Sequence, residues 1–297
     1  NFEWIIMSAH LTRILWALTA SIVLAFQGVV ISVFLKRIGI LAVCIFTNAV
    51  NCVVLGLVGF WTYQEGEFDW IGLGWFSLLG ITAYSYGRFV YYKALSTIGP
   101  PRLTTLMSTS PLLSLGLAVL FLSERPGLFV LIGTALVILG VALVSYEPDE
   151  NQWFHKGIIW GFASALSMGL STFIRKKGLD AFPNTALTIA WGNLIGIPVL
   201  MSLRPFVPAS LFEWGGRSVI IVVLLMGVLN AANQVFMNLA VLHGDVSVVS
   251  PIITSSPVFS LLLTAIFLRK VEKIKFSMII GVFLTVFGMI AISFGRG

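Results

Sequence analysis

Ten runs of apolar residues, each about twenty long and divided by short polar punctuation, follow one another along this chain. Coiled as an α-helix, such a run spans about 30 Å, the thickness of the hydrocarbon layer of a bilayer. The runs occupy roughly residues 12–35, 38–60, 71–95, 101–122, 127–146, 156–174, 184–203, 217–242, 246–268 and 274–294. Lys36-Arg37, the acidic Glu65, Glu67 and Asp69, Gly99-Pro100-Pro101 and Glu124-Arg125-Pro126 mark the first four breaks. Of the 297 residues, 58% are hydrophobic and only 10% charged, whereas soluble domains carry about 25% charged residues. A soluble protein of this size could not bury so much apolar surface. The fold class expected is therefore an all-α polytopic membrane protein with the lipid bilayer as its solvent. Ten spans consume the length, so no appended globular enzyme domain is expected.

A net charge of +6 is spread over many short loops. It forms no stripe, so nucleic acid is not an expected partner, and the charges are read as topology information. Cys44 and Cys52 lie eight apart in one run, about 12 Å along a helix, too far to bridge. The sequence opens at Asn1 without an initiator Met, so residues are expected upstream, and no cleavable signal peptide is evident.

The two halves of the chain repeat. Ile14-Leu15-Trp16 matches Ile158-Ile159-Trp160 at an offset of 144, Ala94 matches Ala240 and Pro111 matches Pro257 at 146, and Glu124, Gly133 and Gly140 match Glu272, Gly281 and Gly288 at 148. The offset drifts only at loops, and apolar bias does not supply matched Trp, Pro and Glu. The polar stretch Glu147 to Lys156 reads as the linker, giving units 1–148 and 149–297. With five helices each, an odd number, the second unit must enter the membrane with the opposite orientation, so inverted repeats are expected.

Polar residues in mid-span need partners or water, and here they form stripes. Tyr84, Arg88 and Tyr91 or Tyr92 share one face of the third run, and at an offset of 146 the eighth has Asn230, Gln234 and Met237 or Asn238, with Asn233 alongside. The first run carries Trp16, Ala20, Val23 and Gln27; the sixth carries Trp160, Ser164, Ser167 and Ser171. Thr104, Ser108 and Pro111 on the fourth correspond to Ser250, Thr254 and Pro257 on the ninth. Six runs with matched stripes point to one shared wet cavity. The small Ser and Thr faces would serve helix packing equally well, and Trp16 and Trp160 lie near helix starts, where aromatic belts sit. Asn48, Asn51 and Asn193 read as interhelical glue. Arg88 is costly at membrane depth, by about 2.5 to 3.5 kcal/mol, and with the tyrosines could hold a carboxylate or phosphate. Pro111 and Pro257 each release a carbonyl four residues earlier, at Met107 and Ile253, and offer a pair of bend points for gating.

No run carries a mid-span Asp or Glu, which disfavours a proton-coupled cation antiporter. His10, His155 and His243 lie near segment ends, so no metal site is expected. No Walker loop and no serine and histidine pair at membrane depth are present, so neither a cofactor nor an enzymatic activity is expected.

Read together, the Leu15-Trp16 opening and its Ile159-Trp160 counterpart, Tyr91-Tyr92-Lys93-Ala94-Leu95, Ser110-Pro111-Leu112, Phe121-Leu122-Ser123-Glu124-Arg125 and Gly133-x6-Gly140 make the whole chain resemble the EamA-type, ten-helix transporters of the drug/metabolite transporter superfamily. Phe267-Leu268-Arg269-Lys270-Val271-Glu272 departs from the pattern by two extra residues. The resemblance implies secondary transport of small organic solutes, often amino acids moving outward, through a cavity between helices one, three, four, six, eight and nine. It also implies a prokaryotic inner membrane and cytoplasmic termini. Charge counting gives the reverse orientation: six Lys and Arg (Arg13, Arg125, Arg175, Lys176, Lys177, Arg296) on the nominal cytoplasmic side against eleven opposite, Arg88 excluded. A sugar-phosphate or nucleotide-sugar antiporter is the second transport reading, for which one cavity Arg is thin. A scaffold or lipid-handling protein without a soluble substrate is the reading of another class. Oligomeric state is not legible.

Overall fold

The computed structural model describes residues 2–34, 38–65, 68–145, 157–213, 216–256, 258–259, 262–263 and 276–294, without the side chains at 2–10, 29, 31–34, 99–102, 104–105, 144–145 and 217–219. Glu272, Pro257 and the linker 147–156 lie outside the described residues. The elements are α1 (Phe2–Phe34), α2 (Ile40–Thr62), α3 (Trp70–Leu79), a π-helical segment (Gly80–Gly87), α4 (Arg88–Met107), α5 (Ser110–Phe121), α6 (Leu128–Ser145), α7 (Gly157–Ala181), α8 (Thr185–Ser202), the 3-10 turns Arg204–Phe206 and Ala209–Phe212, α9 (Arg217–His243), α10 (Val246–Ile253) and α11 (Phe276–Phe294). Among the described residues there is no strand, and six helices are long and apolar enough to cross a membrane. The chain is an all-α multi-pass membrane protein.

Its burial pattern suits a lipid solvent. Phe60, Trp61, Phe276 and Phe294 are exposed, while Asn48, Asn51, Ser85 and Asn193 are fully buried. Large apolar side chains face outward because lipid welcomes them, and small or polar residues let helices approach and bond inside.

The glycine contacts reveal the symmetry. A Cβ on Gly133 would lie 2.6 Å from the Gly288 carbonyl, and one on Gly140 would lie 2.6 Å from the Gly281 carbonyl. In sequence, however, Gly133 matches Gly281 and Gly140 matches Gly288. Each glycine of α6 thus meets the counterpart of the other one. A two-fold axis across antiparallel helices does this, as inverted repeats require. Elsewhere Asn51 of α2 donates to Asn193 of α8 at 3.2 Å. Asn233 of α9 donates to the Ala20 carbonyl of α1 at 2.7 Å, and on the other side Ser167 of α7 donates to the Thr82 carbonyl at 2.9 Å.

Several boundaries differ from the sequence reading. The third run does not stop at residue 95: helical structure carries through Gly99-Pro100-Pro101 to Met107. Tyr91 and Met107 nevertheless line one cavity, and Ile98 and Leu106 both lie against Gly161, so the helix is bent in the region of the prolines, which lack the donors of a straight helix. The ordered break falls later, at Ser108-Thr109, leaving Pro111 in the first turn of α5 rather than inside a helix. Met107, four residues before it, ends α4. In the other half α10 ends at Ile253, followed by Thr254-Ser255, so the two breaks are sequence counterparts at an offset of 146. The sixth run extends beyond residue 174 to Ala181.

Candidate functional site

The π segment aims the first site residues. Ser85 Oγ donates to the carbonyl of Gly80, five residues back, at 2.6 Å and lies 3.1 Å from that of Gly196. A Cβ on Gly80 would lie 2.3 Å from the Gly192 carbonyl. Only glycine lets this wide turn sit against α8. Such turns shift the register by a residue and favour functional sites; here it delivers Tyr84 and Arg88 to the interior.

Between the two halves is a cavity of about 250 Å³. It gathers Gln27 from α1, Tyr84 from the π segment, Arg88, Tyr91 and Tyr92 from α4, and Ser108 from the break. Ser164, Ser167 and Ser171 join from α7, Asn230, Asn233 and Gln234 from α9, and Thr254 from beyond α10. Six stripes from the two repeats thus face one space. Trp16 and Trp160 are not on its wall. Trp16 stacks on Phe236 with centroids 5.5 Å apart, and Trp160 meets Phe89 edge-on at 6.4 Å. Both wedge neighbouring helices together because a large ring at an α1–α9 or α7–α4 crossing gains more by filling the crossing than by facing water. Ser250 also turns away, its hydroxyl 2.5 Å from that of Ser114. The side chain of Thr104 lies outside the described residues.

Arg88 is half-buried and donates through Nη1 to Asn48 Oδ1 at 2.5 Å and through Nη2 to Asn230 Oδ1 at 3.1 Å. Asn230 in turn accepts from Asn51 Nδ2 at 2.7 Å. Asn48, expected to be glue, is therefore an anchor of the arginine. Gln27 donates to the Met226 carbonyl at 3.1 Å.

Sequence reasoning missed Arg175, which it assigned to a loop. The residue is 2% exposed on α7, lines the cavity and donates to Gln234 Oε1 at 3.0 Å and to Asn238 Oδ1. The run Arg175-Lys176-Lys177 disguised it, although Arg175 follows Ser171 by one helical turn and continues that stripe. It therefore leaves the tally of loop charges. Tyr84 sits 5.9 Å from both guanidinium carbons, measured to its ring centroid. Among the described residues no Asp or Glu lines the cavity, and no His, Cys, Asp and Glu cluster fit for a metal occurs. The wall is thus cationic, with Met107, Met168, Met226 and Met237 as its adaptable apolar part.

The EamA-like transporter family model matches residues 11–146 and again 155–294. A crystal structure of a protein 16% identical to this chain, covering 96% of each, superposes with a TM-score of 0.76, a likeness of fold. No curated protein matches.

Proposed function

Since this chain belongs to the EamA-like transporter family, we propose that it is a facilitator or exchanger moving a small organic metabolite, of amino-acid type and carrying an anionic group, outward across the membrane. The observation that carries this reading is that polar residues of both repeats converge on one cavity, where the hydrogen-bond acceptors of Arg88 among the described residues are carboxamides. Neutral acceptors orient a guanidinium without cancelling its charge, and taking such a charge even partly out of water is costly without a counterion. A solute carboxylate offsets that cost through charge-assisted hydrogen bonds.

Alternating access follows from the inverted halves. The breaks at Ser108-Thr109 and Thr254-Ser255 interrupt the helices beside the cavity, so they are the natural bending points when one half rocks against the other. We take the division near 148 and 149 as the boundary between these halves and both termini as cytoplasmic, in a prokaryotic inner membrane.

A sugar-phosphate antiporter is the second reading, and the second cavity arginine favours it. A nucleotide sugar suits the space less well, because about 250 Å³ falls below the 300–1,000 Å³ usual for drug-sized ligands.

The test is a thermal-shift screen of purified protein, wild type beside Arg88→Gln, against amino acids, organic acids, sugar phosphates and amines, followed by flux in proteoliposomes. A true ligand at about 100 times its Kd adds about 2.7 kcal/mol to the folded state. Stabilisation of the wild type alone by an anionic or zwitterionic class is expected. If no solute shifts either protein or crosses the vesicle, the scaffold or lipid-handling reading replaces this one.

A further inference from the structure

Arg175 is the buried charge that the transport reading leaves unused. Its guanidinium hangs on Gln234 and Asn238, while that of Arg88 hangs on Asn230. Asn230, Gln234 and Asn238 recur every fourth residue on α9, so they form one row on its face, about 12 Å from end to end. The two arginines are anchored at different rungs of this row, with the Tyr84 ring 5.9 Å from each. The Arg175 Nε–H and the Tyr84 hydroxyl are buried and have no hydrogen-bond partner among the described residues.

Every partner named here is neutral. Carboxamides satisfy guanidinium geometry, and a ring face attracts a cation, yet neither removes the charge. Among the described residues the cavity wall holds two arginines and no carboxylate, so two positive charges share one cavity with no counterion among those residues. A single phosphoryl group is best held by cations that converge on it. Cations anchored on separate rungs instead suit two anionic groups joined by a short chain.

We propose that the cavity binds a short dicarboxylate, one carboxylate on Arg88 and the other on Arg175, with the connecting carbons against Met168, Met237 and the Tyr84 ring. This deepens the transport reading and rests on it. Arg175 is then a specificity residue: it separates dianions from monoanions.

The experiment titrates the purified chain with succinate, propionate, alanine and glycerol phosphate, each followed by thermal shift and by uptake into proteoliposomes, for wild type, Arg175→Gln and Arg175→Lys. Succinate is expected to bind wild type about tenfold or more tightly than propionate, the worth of one added charged contact. Arg175→Gln should erase that preference, weakening succinate far more than propionate, and Arg175→Lys should restore part of it. Should the Arg175 variants not fold, the succinate-to-propionate ratio of the wild type decides alone. If propionate or alanine binds as tightly as succinate, or glycerol phosphate binds more tightly, the dicarboxylate assignment falls and the transport reading stands. If none of the four binds or is taken up and other solutes are transported, the assignment again falls alone; if no solute of any class is transported, both fall.

Discussion

The carboxylate of Glu124 accepts hydrogen bonds from the backbone N–H groups of both Val246, at 2.8 Å, and Ser247, at 2.9 Å. Glu124 lies in the turn between α5 and α6, whereas Val246 and Ser247 open α10 in the other repeat. Asp245, at the N-cap itself, makes no side-chain cap bond and instead sits 3.7 Å from Arg13. One half of the molecule therefore supplies the cap that a helix of the other half lacks, with its negative charge at the positive end of the helix dipole.

Replacing Glu124 by Ala should cost about 1–2 kcal/mol, the worth of an N-cap, and Glu124→Gln should cost less because it keeps an acceptor. A lowered Tm of purified protein, ordered wild type, Gln, Ala, is the expected result. Equal Tm values for the three would show that the cap contributes nothing.

At the α6–α11 crossing, stability should depend on the absence of side chains. A Cβ at Gly288 would stand 2.7 Å from the Gly133 carbonyl and 2.8 Å from the Val137 nitrogen. Both are backbone atoms that cannot swing aside, so Gly288→Ala is expected to cost about 1–3 kcal/mol as the helices separate. Gly74→Ala is the control: nothing lies within 4 Å of the added atom, and its Tm should be unchanged or slightly higher, since Ala favours helix. Denaturation curves of the two variants should therefore move apart.

The features legible in the sequence were those with a period. Offsets of 144 to 148 exposed the repeat, an odd helix count gave its inversion, and spacing of three and four residues collected Tyr84, Arg88, Ser164, Ser167, Ser171, Asn230 and Gln234 on faces that meet at one cavity. Features without a periodic trace escaped. Arg175 was hidden by the two lysines that follow it, since three adjacent cations read as the end of a span. The π segment depends on Ser85 reaching Gly80 and on Gly80 touching Gly192, which is tertiary information. Trp16 and Trp160 looked alike as pathway candidates because their partners, Phe236 and Phe89, are fixed only by helix crossing. Glu124 was visible as a matched residue, but the helix it caps lies more than a hundred residues away.

Arg88 should govern affinity. Arg88→Gln removes hydrogen bonds to a charged group, each worth about 1.5–3 kcal/mol, so the Kd for an anionic ligand is expected to rise by about tenfold or more. Arg88→Lys keeps the charge but loses the fork that reaches both Asn48 and Asn230, and should fall between the two. Isothermal titration of the three proteins with the same ligand checks the order. An unchanged Kd in Arg88→Gln would remove this residue from the site.

The sharpest prediction has opposite signs for stability and binding. Gln234 accepts from Arg175 and Asn230 accepts from Arg88 through neutral oxygens, so Gln234→Glu or Asn230→Asp places a near-isosteric carboxylate where a carboxamide now sits. Arg175 is already desolvated and Arg88 partly so, and the new attraction is set mainly against the burial of one carboxylate. The existing bonds already have an ionised donor, and the carboxylate adds an opposite charge at the acceptor, which shortens and strengthens them. The ligand-free variants should accordingly be more stable than wild type, and they should bind anionic solutes worse, because the resident carboxylate occupies the charge that the solute would otherwise neutralise. Thermal scans without ligand and titrations with it separate the two effects. If ligand-free stability rises while anion affinity is unaffected, the guanidinium groups hold helices together and do not meet the solute. If stability falls, burial of the added carboxylate outweighs its attraction, and the neutral row on α9 is there to hold the arginines rather than to leave their charge available.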